Sequence, residues 1–426
     1  MKSLIKLPMK TFLVLTLIVF MVFGILSGVV FADEKIIKIG TLFPLTGPCA
    51  LAGQRCKAAV ETAVEVINNK HPECKVPLGE SEGILGGYKI VLVHADHQGK
   101  PDVGKTEAER LFNVEKVYSI IGCYNSGVTK TASSVAERQK KVFMCGCSSS
   151  SALTERGFNY FFRFAPTDKT ESIDFCEVIK WLNETKNANM KTIACIAENS
   201  EFGKHASEEA KAAVETAELE YVGTVTFSAG ATNLDSEVLT LKAKNPDAVF
   251  GGCVGGDYTL WVRTMKQMNW LPKIIMNYCT GYQDPLIAKQ LEDDANYFMG
   301  CTGYAPVFAH MMPAVAAIED IFKTKTSPSV PYDSDCIQET IAMFILAQAI
   351  EKAGTLDYEK VRETLYANEW ESPMSIGGKV AFIEGGQNSK ALSLMTQIIR
   401  GEYEIAYPPE LATEKIVFPM IPWDKR

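Results

Sequence analysis

Histidine is scarce: the 426 residues hold only five, His71, His94, His97, His205 and His310. No CxxC pair and no Cys/His cluster of zinc-binding spacing occurs. There is no GxSxG elbow or comparable catalytic signature. Nucleophilic catalysis needs a positioned base, and only His94 and His97 fall near a strand end where one could act. A hydrolytic enzyme is therefore the disfavoured reading. The chain also lacks a Lys/Arg stripe, and its formal net charge is -8. Phosphate neutralisation needs clustered cations, so nucleic acid is not an expected partner. Close internal repeats and low-complexity linkers are absent too.

What is present begins with an unusual leader. Lys2, Lys6 and Lys10 precede an uncharged apolar run that ends at Ala32, before Asp33. A basic start, an apolar stretch and a small residue at the cleavage position describe a secretory signal over residues 1–32. The alternative is a retained anchor, since the run is long enough to span a bilayer. No cysteine follows it directly and no second run of spanning length occurs later, so an exported, soluble mature chain is expected. Twelve cysteines follow the leader. Export permits disulfides, but the spacing reveals no pairing. Cys145 and Cys147 are too close for an unstrained bridge, and Cys123, Cys195 and Cys253 sit in apolar runs as small hydrophobes.

Hydrophobic residues make up 47% and charged residues 22%, an ordinary globular balance. The length calls for two domains. From Ile36 onward, strand-like runs alternate with segments of helical periodicity: IIKIGTLFP, then GQRCKAAVETAVEVINNK, YKIVLVHAD, VYSIIGCYN and KVFMCGC. The alternation restarts at KTIACIAEN and continues through YVGTVTF, DAVFGGCV and KIIMNYC. This predicts an α/β fold of two doubly wound lobes with mostly parallel sheets.

Ligands of open α/β sheets bind beyond the carboxyl ends of strands. MCGCSSSSALTERGF, residues 144–158, is such an edge, and its serines precede an expected helix start. Free N–H groups, serine hydroxyls and the helix dipole would together favour an anionic or amide group. One serine would suffice for simple capping. GCYNSGVT repeats the arrangement after the preceding strand, which sets Ser126 facing the cluster.

IKIGTLFPLTGP, GCYNSGVTKTASSVAE, SSSSALTERGFNYFFRFAP and ENSEFGKHA, in this order, resemble the type I periplasmic binding proteins of the leucine/isoleucine/valine, or hydrophobic amino acid/amide, group. The resemblance runs from about Ile36 to the closing FPMIPWDKR. It implies three crossing segments between the lobes, near Pro166, Tyr304 and Phe382. With the leader removed, lobe 1 would comprise 33–165 and 305–382, and lobe 2 would comprise 166–304 and 383–426. It further implies a monomeric, periplasmic substrate-binding protein of an ABC importer that closes on a small ligand, needs no cofactor and docks on an inner-membrane permease. A ligand sensor of the same fold is the alternative.

Carried over position by position, the resemblance assigns Ser126, Cys147 and Ser149, with neighbouring Ser148, to the ligand's polar end. It assigns Phe202 as an aromatic clamp, and places Val254 and Tyr278 where amino-acid binders have a tyrosine and an acid. Tyr278 offers no carboxylate for a buried ammonium, so Asp257 or Glu198 would have to substitute. On this reading a carboxylate or amide with an apolar body is expected to bind better than a free α-amino acid. Trp261 shares helical spacing with Met265 and Met268 and is expected in the core.

Overall fold

The computed structural model describes residues 35–426, so the leader read from the sequence lies outside the described residues. Runs apolar at nearly every position become strands buried on both faces, as sheets covered by helices require. One sheet holds β1 (Ile36–Phe43), β2 (Lys89–Asp96), β3 (Ser119–Gly122), β4 (Phe143–Cys145) and β5 (Phe161–Arg163), in the order β2-β1-β3-β4-β5. The β1–β3, β3–β4 and β4–β5 pairs are parallel, with Ile39 opposite Ser119 and Ile120 opposite Phe143. The second sheet holds β6 (Thr192–Glu198), β7 (Glu220–Phe227), β8 (Ala248–Gly252), β9 (Ile274–Asn277) and β10 (Met299–Thr302). A two-stranded ribbon of β11 (Glu369–Glu371) and β12 (Lys379–Ala381) follows in the chain, and β13 (Leu394–Ile399) and β14 (Glu402–Tyr407) complete the second sheet. Its order is β14-β13-β10-β9-β8-β6-β7, parallel from β7 through β10 and antiparallel at β13 and β14.

Helices α1 (Ala50–Asn68), α2 (Pro101–Asn113) and α3 (Ser126–Arg138) alternate with the first strands, and α4 (Asp168–Lys186) leads into the second sheet. Helices α5 (Glu201–Thr216), α6 (Asp235–Lys244), α7 (Gly255–Gln267) and α8 (Pro285–Leu291) alternate with the second set. The chain then gives α9 (Val315–Lys325), α10 (Ser334–Ala353) and α11 (Tyr358–Ala367). Helix α10 is buried along almost its whole length and packs on α1, which returns this stretch to the first lobe. An all-round apolar helix of this kind needs cover on every side, and α1, α11 and the first sheet supply it.

The last passage between lobes falls later than the boundary at 382–383 read from the sequence. Arg163 N–H still donates to Gly386 O (2.8 Å), and Asn388 N–H donates to Arg163 O (3.0 Å), so the chain is still beside β5 at Asn388, and β13 of the second sheet begins at Leu394. Trp261 is fully buried, in edge contact with Tyr258 (6.1 Å between ring centres), in line with its helical spacing. Cys123, Cys195 and Cys253 are buried, and the cysteines among the described residues are free thiols.

Candidate functional site

A cavity of about 530 Å³ opens where β3, β4 and β6 end. From the first lobe it is walled by Tyr124, Asn125, Ser126, Cys147 and Ser149. From the second lobe come Glu198, Ser200, Phe202, Val254 and Gln283. It adjoins a second cavity of about 610 Å³, with Tyr124, Asn125, Glu198, Val254 and Asp335 lining both.

On the first lobe, β3 ends and α3 begins at Ser126, with Asn125 as its cap residue in extended conformation. Ser126 is therefore in the first turn, where backbone N–H groups lack intrahelical partners. The serine run is different: no α-helix starts there, only a short 3₁₀ turn over Ser151–Leu153. The expectation of a second helix N-terminus is thus corrected. Each serine has its own task. Ser148 Oγ lies 2.7 Å from Thr129 Oγ1 and donates to Tyr124 O (3.0 Å), and Ser148 does not line the cavity. Ser149 does line it. Ser150 N–H donates weakly to Ser126 Oγ (3.5 Å), and Ser151 Oγ donates across the lobes to Glu209 (2.5 Å).

The loop takes this shape because Arg163 anchors it from β5. Its guanidinium is fully buried and donates to the carbonyls of Ser148 (3.2 Å) and Ser150, to Thr154 Oγ1 (2.9 Å) and to Gln387 Oε1 (2.8 Å). Gly146 contributes too: a side chain there would sit 2.5 Å from the Glu339 carboxyl carbon, whereas its N–H donates to Glu339 Oε1 (3.2 Å). The Cys147 thiol donates to the same oxygen (3.2 Å).

On the second lobe, Ser200 caps α5 and accepts from Gly203 N–H (3.1 Å). Gly203 must be glycine, because a Cβ there would lie 2.0 Å from Glu198 O. Phe202 and Glu198, on either side of this turn, both line the cavity. Glu198 Oε1 accepts from Ser200 Oγ (2.7 Å), and burial raises the carboxyl to about 7. Tyr278, read as a cleft residue, is instead 1% exposed in the second core. Its hydroxyl is 2.7 Å from Ser172 Oγ and donates to Ala206 O (2.9 Å), and its ring meets Phe202 edge-on at 6.4 Å. Asp257 lines the adjoining cavity and accepts from Gly230 N–H (2.8 Å). The structure therefore brings Ser126, Cys147, Ser149, Phe202 and Val254 to one cavity and Asp257 to its neighbour, and leaves Ser148 and Tyr278 outside both.

Gln283, Asp335 and Gln338 complete the wall without having been read from the sequence. Asp335 accepts from Gln283 Nε2 across the lobes (2.8 Å). Two further links span the cleft: Lys130 to Glu201 (2.6 Å) and Arg55 to Asp284 (2.8 Å), the latter shared with Asp333 (3.0 Å). His97 is structural. Its Nε2 pairs with Cys123 O (3.0 Å), Gly99 N–H donates to its Nδ1 (3.0 Å), and burial holds it down to about 4. No group of residues suited to a metal ion occurs among the described residues.

A profile of the family described as periplasmic binding protein matches residues 36–401. This chain belongs to the periplasmic binding protein family. It is thus a binding protein and not an enzyme. Leu/Ile/Val-binding protein homolog 7 of Brucella suis is 26% identical over 416 residues, spanning 95% of this chain and 99% of that one. A leucine-binding protein of Thermotoga maritima superposes with a TM-score of 0.73 at 18% identity, covering 88% of this chain and 99% of the other. A solute-binding protein from R. palustris, in complex with 4-hydroxybenzoate, gives 0.73 at 18% identity, covering 90% and 98%. These structures share the two-lobed fold of the binding protein described here.

The buried carboxyls of this binding protein make its stability pH-dependent. Burial raises Asp168, Asp174, Glu198 and Glu339 to about 7. In the unfolded chain they would titrate near 4. Between those values the folded state holds more protons, so stability is fully present below about 4 and is lost as pH rises through about 7. His97 opposes this below about 6.5, as one group against four. The melting temperature without ligand should fall by several degrees or more from pH 5 to pH 8. A melting temperature that rises over this interval in a differential scanning experiment would contradict these assignments.

Proposed function

We propose that this chain is the extracytoplasmic substrate-binding protein of an ABC importer, exported to the periplasm and acting there as a monomer. It captures a small amino acid, amide or carboxylate between its lobes and delivers it to the inner-membrane permease. The observation that carries this reading is the cavity wall itself: Ser126 in the first turn of α3 and Ser149 in the serine loop share one chamber with Glu198 and Phe202 of the other lobe. The helix start and the two hydroxyls suit a carboxylate or amide oxygen. Phe202 offers apolar area.

Glu198 supplies what Tyr278 does not, a carboxylate on the second-lobe wall. A ligand ammonium beside it would restore the ionised form that burial disfavours. This favours amino acids over their deaminated counterparts, the reverse of the expectation built on Tyr278. Relatives of this fold include a substrate-binding protein from Streptococcus pneumoniae in complex with isoleucine and the 4-hydroxybenzoate complex described above, so the fold accommodates a carboxylate with or without an ammonium.

Native mass spectrometry of freshly purified protein identifies the molecule carried, and calorimetric titration then measures it. Ser126→Ala and Ser149→Ala should each lose one bond to a charged group, about 1.5–3 kcal/mol, which is roughly tenfold to a hundredfold in affinity. Wild-type affinity in both variants would remove these residues from the site.

A further inference from the structure

The second cavity is larger than the first and is walled by acceptors. Glu198, Asp257 and Asp335 all line it, each less than one-tenth exposed. Among the described residues none of the three is in an ion pair. Arg55 also lines this cavity, but its guanidinium is already held between Asp284 and Asp333. Lys100 also lines the cavity, but it is exposed and rests on Gln98 Oε1 at 3.4 Å. Glu198 and Asp335 line the first cavity as well, so two of the three stand where the cavities join.

A separate observation points the same way. Gln283 is 4% exposed and lines the first cavity, and its Nε2 is committed to Asp335 Oδ1 at 2.8 Å. Its Oε1 is left buried without a hydrogen-bond partner. Such an acceptor calls for a donor. A primary ammonium brings three donors and a positive charge, and no acceptor of its own.

We infer that the ligand is elongated, with its carboxylate at Ser126 and Ser149 and a cationic nitrogen at its far end, seated where the two cavities meet, at Asp335 and the free carbonyl of Gln283 with Asp257 beyond them, while Glu198 faces the α-ammonium of an amino acid. This rests on the proposed binding function and narrows the ligand class within it. An aliphatic side chain would leave the carboxylates desolvated and uncompensated, a cost an ammonium removes. A distal guanidinium would serve the same chemistry with a wider fork.

The probes are matched pairs that differ only at the far end: L-lysine against L-norleucine, and 6-aminohexanoate against hexanoate, each titrated calorimetrically into the full mature chain. The aminated member of at least one pair should bind tenfold or more tighter than its partner. Asp257→Asn and Asp335→Asn should each reduce that ratio severalfold. Equal or weaker binding of the aminated members, with norleucine or hexanoate bound, overturns this inference and leaves the proposed function standing. A tenfold preference that survives both substitutions unchanged also overturns it, because the charge would then be read elsewhere. Absence of binding by all four probes, together with an empty protein in native mass spectrometry, would overturn both readings. Circular dichroism of the two variants separates a lost ratio from a lost fold.

Discussion

Arg163→Met should be among the most damaging single changes in this protein, costing about 3–5 kcal/mol, because it breaks a buried charged hydrogen-bond network. Arg163 is fully buried and carries four bonds, two of them to the carbonyls of Ser148 and Ser150. Methionine has comparable length but donates nothing, so those carbonyls, Thr154 and Gln387 would be left without their donor. The energetic loss is the desolvation of groups that remain buried, not only of the bonds removed. Two effects are expected together: a melting temperature lower by about 5–10 °C, and weaker ligand binding, because Ser149 belongs to the loop that loses its anchor. Arg163→Lys should recover only part of either, since a point-like ammonium cannot reach partners on both sides of a planar fork. Thermal denaturation and calorimetric titration of the two variants test this. A change of less than about 1 °C in Arg163→Met would show that the loop holds its shape without the guanidinium.

The second large effect belongs to Arg55. It projects from α1 and donates to both carboxylate oxygens of Asp284, at 3.2 and 2.8 Å, while also lying 3.0 Å from Asp333. Burial pulls its pKa down, but the adjacent Asp333 and Asp284 charges more than offset this and hold it above its ordinary value. Arg55→Ala would leave two carboxylates facing one another with no cation between them. Breaking a buried pair in this way costs about 3–5 kcal/mol. Because Asp284 belongs to the second lobe and α1 to the first, part of that cost should appear as opening: the radius of gyration of the ligand-free protein should rise in small-angle scattering. Removing the stranded charge as well, in Arg55→Ala/Asp284→Asn, should return part of the lost melting temperature. If the double variant were no more stable than the single one, mutual repulsion of the carboxylates would not be the cause.

Much of the architecture could be read from periodicity. IIG in β3, FMC in β4 and AVFGG in β8 are apolar throughout because helices cover both faces, and such runs are hard to mistake. Ser126 was legible as a helix start because a strand, a turn and small polar residues follow one another in GCYNSGVT. The serine loop was not legible in detail. Its partners, Arg163 on β5 and Glu209 on α5, come from later segments, and the hydroxyl pattern alone cannot distinguish an exposed donor from one spent on a neighbour. Tyr278 was misplaced for a related reason. Position along β9 gives the strand end but not whether the next side chain turns to the cleft or to the core, and Ser172, Ala206 and Phe175 hold its ring inward. Asp335 and Gln283 reach the cavity from the start of α10 and from before α8, a convergence that only the folded topology provides.

Among the described residues four polar links cross the cleft: Arg55–Asp284, Lys130–Glu201, Ser151–Glu209 and Gln283–Asp335. Their consequence is kinetic. A molecule enclosed behind them leaves only when they part, so residence time reports the opening of the lobes as much as the molecule's own contacts. Ligands of quite different affinity should then differ in how fast the closed state captures them and converge in how slowly they escape. Salt should shorten residence only modestly. Lys130 is 46% exposed and its attraction is screened, whereas Arg55 is 3% exposed and keeps its grip at ionic strengths that dissolve surface pairs.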